Sequence, residues 1–229
     1  MQWYQIAEDV AVMQRPLRAF GIDFGRNVTL LRLKDSRLVI HSTAPFLEAD
    51  VAAIARFGKP SWLVEATRMH DTFARPARAA FPDLPYLVPA GFAKASGVPT
   101  KPLLPSPPDW SGEIDVLPIA GLRALEEHAF YHRRSRTLVV ADLLFQFPAD
   151  TKGWPRTFVR YVMRLPHLRG MSAFFRMMIR DRKKFEASMK TLLQWDFTQI
   201  VLAHREPVRE EARAMLDQAL GDWGFSVGG

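Results

Sequence analysis

An α/β architecture follows from two features of the sequence. Short apolar runs of strand type alternate with segments of helical period, and three chemically active side chains, His70, Asp142 and His204, fall just beyond such runs. In open α/β sheets, groups beyond the carboxyl ends of strands are where ligands bind, so the pattern that predicts the fold also predicts the site. At 229 residues the chain can bury one large core and is short for two full domains, so residues 1–229 are expected to form one domain.

The elements are read in order. Residues 10–13 and 28–33 are strand-like, and the turn Lys34-Asp35-Ser36 leads into a third strand at 38–41, which makes a meander closed by a tight hairpin. Leu47, Val51, Ile54 and Ala55 recur at helical spacing, and Gly58 and Pro60 stop that helix. Residues 62–64 form a strand, 67–73 the loop after it, 74–81 a short helix and 86–88 another strand. The five prolines between 98 and 110 mark a surface crossover. Strands follow at 114–119, 127–131 and 137–141. An insertion of two or three helices leads to a strand at 199–203 and an amphipathic closing helix over 208–223.

Composition narrows the chemistry. The 48% hydrophobic and 24% charged content is that of a globular protein. There is no cysteine, so disulfides, thiolate ligands and a cysteine nucleophile are excluded, and a metal would need His, Asp or Glu. The first residues, Met-Gln-Trp-Tyr-Gln, have neither the basic leader nor the apolar stretch of a signal peptide, and no apolar run has bilayer length, so a cytoplasmic location is expected. No glycine-rich phosphate loop is present, because Gly21 and Gly25 lack the spacing, and no Gly-x-Ser-x-Gly elbow is present either.

The net charge of +7 is concentrated between Lys152 and Lys190, where Asp181 and Glu186 are the only acids. Such a patch attracts an anionic substrate, anionic lipid or nucleic acid; the plainer reading is a solvated helix face. Within it Trp154, Phe158, Tyr161, Val162 and Leu165 recur at helical spacing, with Arg156, Arg160 and Arg164 on another face. This segment is expected to lid a pocket, form a dimer surface or touch a membrane peripherally, or simply to pack on its parent domain. Nucleic acid is not expected as a partner, since no aromatic-and-basic RNA motif accompanies the charge.

Each candidate site residue has a second reading. His70 is either a metal ligand or a hydrogen-bonded loop histidine. Asp142 either ligates, caps a turn or pairs with Arg68. His204 either ligates or precedes the closing helix, whose first turn Pro207 would favour. His41 and His167 read as structural, and Glu126 and Glu127 as a solvated pair or an acid–base pair.

The order of elements, with Thr67-Arg68-Met69-His70-Asp71-Thr72-Phe73 after one strand, Ala141-Asp142-Leu143-Leu144-Phe145 after another and Ala203-His204-Arg205 after a third, resembles the metallo-β-lactamase superfamily. The resemblance covers nearly the whole chain, and its nearest form is an uncharacterised group of lactamase-like proteins with a degenerate metal motif. It implies a metallo-β-lactamase-like four-layer αββα sandwich with a helical insertion near residues 150–195. In active members a Thr-His-x-His-x-Asp-His loop, a Gly-Asp-x-Leu-Phe segment and a Gly-His-Gly loop hold two metals. Here His70, Asp142 and His204 are kept. Arg68 stands for the first histidine, Thr72 for the aspartate and Phe73 for the last histidine, and Gly121-Leu122-Arg123 has no histidine in register; His128 and His132 are displaced.

What the resemblance implies is therefore a hydrolase-like protein with at most one metal, zinc or iron, on two histidines and one carboxylate, acting on an anionic small molecule. Arg68 is expected to put a fixed positive charge at the vacated metal position. The alternative is a non-catalytic binding or scaffold protein with the same fold and no metal.

Overall fold

The computed structural model describes residues 2–226. Its first half is built on a seven-stranded sheet. The strands are β1 (Gln2–Ala7), β2 (Val10–Arg15), a two-residue hairpin β3 (Arg18–Ala19) and β4 (Ile22–Asp23) that stands apart, then β5 (Arg26–Arg32) and β6 (Arg37–His41). Helix α1 (Glu48–Phe57) crosses to β7 (Lys59–Val64), α2 (Ala74–Ala80) to β8 (Tyr86–Val88) and α3 (Phe92–Ser96) to β9 (Lys101–Pro102). The sheet order is β1-β2-β5-β6-β7-β8-β9, antiparallel as far as β6 and parallel from there on. A Cβ at Gly58 would lie 2.7 Å from the Ser36 carbonyl oxygen, which is why glycine ends α1 where the chain passes beneath the β5–β6 turn.

The second half forms a four-stranded sheet. Strands β10 (Ile114–Pro118), β11 (His128–His132) and β12 (Thr137–Val140) are antiparallel neighbours. The insertion follows: β13 (Phe145–Gln146), α4 (Gly153–Thr157) running into a π-turn at Phe158–Val162, β14 (Arg169–Gly170), α5 (Ala173–Met178) and α6 (Arg182–Leu193). Strand β15 (Gln199–Leu202) then pairs parallel with β12, and α7 (Ala212–Gly221) closes the chain.

The period-2 alternation of the strands sorts side chains into layers. From β6, β7, β12 and β15, Val39, Val64, Val139 and Val201 enter the core between the two sheets, with Trp110 and Phe130. Their neighbours Ile40 and Leu63 face α1–α3, while Leu138, Val140, Ile200 and Leu202 face α5–α7. Three apolar cores separate helices, sheet, sheet and helices, which makes the four-layer αββα sandwich. A fourth, smaller core gathers Ile22, Phe145, Phe147, Val159, Met163, Leu165 and Leu168 and fastens the insertion to the β3–β4 hairpin. No helix of the described residues is long and apolar enough to cross a membrane.

Two expectations are corrected. The closing helix begins at Ala212, not at 208, because Val208 bridges to Ile200 as an extra strand residue; Pro207 therefore precedes a bridge and not a helix. The amphipathic segment 154–165 is not one regular helix, since it changes from α to π at Phe158.

Candidate metal centre

Parallel pairing sets the height of two of the three candidate ligands. Val140 is in register with Leu202, so Asp142 and His204, each two residues further on, leave adjacent strands at one level. His70 arrives from the loop after β7. That loop is fastened to the other sheet: Thr67 Oγ1 donates to the Leu125 carbonyl at 2.7 Å, and the Arg68 N–H donates to the same oxygen at 3.1 Å. Both imidazole Nε2 atoms lie 3.3 Å from Asp142 Oδ1, and the three groups offer ligand atoms all within 4.8 Å of one another. Among the described residues no other set of three His, Asp or Glu groups is so placed.

Hydrogen bonding fixes one tautomer. His204 Nδ1 is 2.7 Å from the Gly25 carbonyl oxygen, which can only accept, so Nδ1 carries the proton. The lone pair of a neutral His204 Nε2 then faces the Asp142 carboxylate. That contact is relieved by positive charge between the two atoms, either a second imidazole proton or a cation. His70 Nδ1 is buried without a hydrogen-bond partner, so its proton is best placed on Nε2, donated to Asp142. Two imidazoles and a carboxylate converging in this way are a donor set that fits one zinc or iron ion.

Buried groups around the triad control charge and position. Burial and then the nearby Arg26 guanidinium lower His70 to about 4, against the pull of Asp142. Burial alone would raise Asp142, but the two histidines outweigh it and hold the carboxyl ionised, well below the usual range. Glu127 Oε1 accepts the backbone N–H groups of Ala141 and Leu143 at 3.1 and 3.0 Å, and Oε2 accepts that of Asp142 at 3.0 Å. Burial, followed by the Asp142 charge, raises Glu127 above the carboxylate range. Phe145 stacks parallel to the His204 ring at 5.6 Å, and Phe24 meets its edge at 6.2 Å.

The triad lies in the wall of a cavity of about 620 Å³ whose lining is otherwise mostly apolar, from Leu17, Phe20, Phe24, Phe73, Phe145 and Phe174 among others. Arg26 also lines it, buried and tied to Thr43 O at 3.1 Å and Glu65 Oε2 at 3.0 Å.

Several known structures share this arrangement of elements. A metallo-β-lactamase from Erythrobacter litoralis, with β-mercaptoethanol in its active site, matches 96% of this chain and 94% of its own at a TM-score of 0.66 and 11% identity. One from Pontibacter korlensis matches 96% and 97% at 0.62 and 11% identity, and one from Hirschia baltica 95% and 95% at 0.62 and 11% identity. The chain has the metallo-β-lactamase fold. No family model and no curated protein matches it.

Within the metallo-β-lactamase fold, the motif positions fall out as follows. His70, Asp142 and His204 come together, whereas Thr72 and Phe73 line the cavity without offering a ligand. Arg68 does not fill the site or pair with Asp142: its side chain lies along Gly91, where an added Cβ would come within 2.9 Å of Arg68 Cδ. The fixed cation at the site is Arg26, from the start of β5. His128 bonds to the Ala66 and Glu126 carbonyls, and His132 to Ser135 Oγ and the Arg32 carbonyl, so both are structural. His41 is buried against the Phe130 ring and is not one of the three groups whose ligand atoms converge. Glu127 is the main surprise: it is 1% exposed and holds the Asp142 loop, so it is no solvated glutamate, while Glu126 beside it is exposed.

Proposed function

We propose that the protein is a hydrolase-like metallo-β-lactamase-fold protein with a mononuclear site on His70, Asp142 and His204, acting on a small molecule with a large apolar part. The observation that carries this reading is the convergence of His70 Nε2 and His204 Nε2 on Asp142 Oδ1, each at 3.3 Å, in the wall of the cavity, with His204 turned by its Nδ1 contact to Gly25. When bound, the ion supplies Lewis acidity, which activates water and polarises a carbonyl or phosphoryl oxygen.

The chain's own groups do the rest. Gly25 orients His204, and Glu127 holds the backbone from which Asp142 projects. Phe24, Phe145 and Phe73 keep the cavity apolar, which strengthens electrostatic interactions inside it. Arg26 lines the cavity with its charge already paired to Glu65, and the basic residues of the insertion largely lie outside the lining, which supports a substrate with a large apolar part.

Esters graded in acyl length test the reading, assayed with ion-replete wild type and with Asp142→Ala. Hydrolysis that improves with acyl length and disappears in Asp142→Ala or with chelator is expected. Ion-replete protein that turns over none of them would favour the non-catalytic binding protein instead.

A further inference from the structure

The mouth of the cavity is ringed by apolar side chains that face solvent. Phe20, Met69, Val162 and Phe174 line the cavity, yet they are 72%, 50%, 56% and 45% exposed. Trp154, held beside Phe20, is 54% exposed; Tyr161 and Met177 of the insertion are 72% and 60% exposed, Tyr161 next to Val162 in sequence and opening on an adjoining groove with Arg160 and Arg164. These seven are most of the large apolar side chains exposed among the described residues, and they come from three segments: the β3–β4 turn, the loop after β7 and the insertion. Single exposed apolar residues are ordinary, but a cluster around a cavity mouth marks a surface that meets something apolar.

The cluster is built and not incidental. Trp154 Nε1 donates to the Phe20 carbonyl oxygen at 2.9 Å, and the Phe20 and Phe158 rings stack at 5.5 Å, so the turn and the insertion present one face. Holding Phe20 outward on a turn residue with φ of 54° also costs backbone energy that a polar residue such as Asn would reduce.

Charge selects the occupant. Residues 152–190 carry eleven Lys or Arg against two acidic residues. Arg18, beside Phe20, and Arg160 and Arg164, flanking Tyr161 and Val162, are exposed and outside the ion pairs of the described residues. Aromatic and aliphatic side chains interleaved with arginine match a bilayer interface with anionic headgroups, the apolar groups entering the acyl boundary and the guanidinium groups meeting phosphate.

We propose that this rim docks the protein on an anionic lipid bilayer with the cavity mouth turned toward the lipid. A ligand dissolved in the membrane then reaches the cavity without crossing water. The docking goes beyond the hydrolase reading and needs no ion at the triad.

Co-sedimentation with phosphatidylcholine vesicles, with and without phosphatidylglycerol, tests it. Binding to the anionic vesicles is expected, weaker at high salt and unchanged by chelator, so that failure of the hydrolase reading leaves this result readable. The double variant Phe20→Ser/Tyr161→Ser should bind roughly tenfold or more weakly, with wild-type melting temperature. Should that variant misfold, Arg160→Gln/Arg164→Gln serves in its place and should lose the preference for phosphatidylglycerol. Absence of binding to anionic vesicles, equal binding by folded variants, or a solution dimer that covers the rim and is dissociated by the double variant would each overturn the proposal.

Discussion

His204 Nδ1 donates to the carbonyl oxygen of Gly25 at 2.7 Å, across 179 positions of sequence. The contact exists because the start of β5 is stitched to the end of β15. Asn27 N–H donates to the Ala203 carbonyl at 2.8 Å, and Asn27 Nδ2 to the Leu202 and Arg205 carbonyls at 2.8 and 2.6 Å. Gly25 itself adopts a φ of 66°, a conformation that glycine takes without strain. Replacing Asn27 with Ala should loosen this junction, costing about 1–3 kcal/mol in urea unfolding and weakening metal uptake together. Lost stability with metal uptake unchanged would show that the junction does not orient His204.

Glu127 should behave as a positioning residue. Glu127→Leu strands three buried backbone N–H groups and is expected to destabilise the fold by roughly 3 kcal/mol or more. Glu127→Gln keeps one acceptor oxygen, enough for the Ala141 and Leu143 amides, and should cost less while still lowering metal affinity through the Asp142 loop. Urea midpoints and metal titration of both variants check this; equal effects of Leu and Gln would count against the acceptor role.

The buried Arg26–Glu65 pair makes a separate prediction. Both side chains are at most 3% exposed, and Glu65 Oε1 also accepts from Thr43 N at 2.9 Å and Tyr86 OH at 3.3 Å. Burial raises Glu65 to about 6 against the pull of Arg26. Arg26→Met should therefore cost about 3–5 kcal/mol by leaving a buried carboxylate unpaired. Adding Glu65→Leu should recover part of that loss, which a double-mutant cycle by chemical denaturation measures.

Acid should weaken the fold through His41. Burial first, and then the charge of Arg26, lower His41 to about 3 from its ordinary 6.5. Below pH 6.5 the unfolded chain takes up a proton that the folded chain refuses, so this contribution to stability is present at neutral pH and is lost as pH falls toward 3. From pH 7 to pH 5 the wild type should lose more stability than His41→Asn, read from urea midpoints at both values. Parallel losses in the two proteins would assign the acid sensitivity elsewhere.

The fold was legible because its strands announce themselves. Runs such as Thr137–Val140 and Gln199–Leu202 are short, apolar and β-branched, and each is followed, after one alanine, by a polar residue of the candidate triad. The triad was legible for the same reason: a strand end is local information. The supporting groups were not. Gly25, Arg26 and Glu127 act through partners 14 to 179 residues away, in contacts that only the packed sheets create. Arg68, one residue after Thr67 in the loop, looked like the cation of the site, yet the turn carries it onto Gly91. A weak signal for Glu127 was present, since it immediately precedes His128–His132, a strand buried at every position, where a charged neighbour needs a partner. The β3–β4 hairpin and α3 were too short to show a period.

The mononuclear site stands or falls on metal content. Protein purified without chelator, and the same protein after incubation with zinc or iron, should be analysed by elemental mass spectrometry beside Asp142→Ala and His204→Ala. A mononuclear site should give close to one ion per chain in the wild type, a fall to background in both variants, and a higher melting temperature of the loaded wild type alone. A wild type that neither carries nor takes up an ion, while keeping its fold, would contradict the mononuclear site and leave His70, Asp142 and His204 as an ion-paired cluster in the wall of a binding cavity.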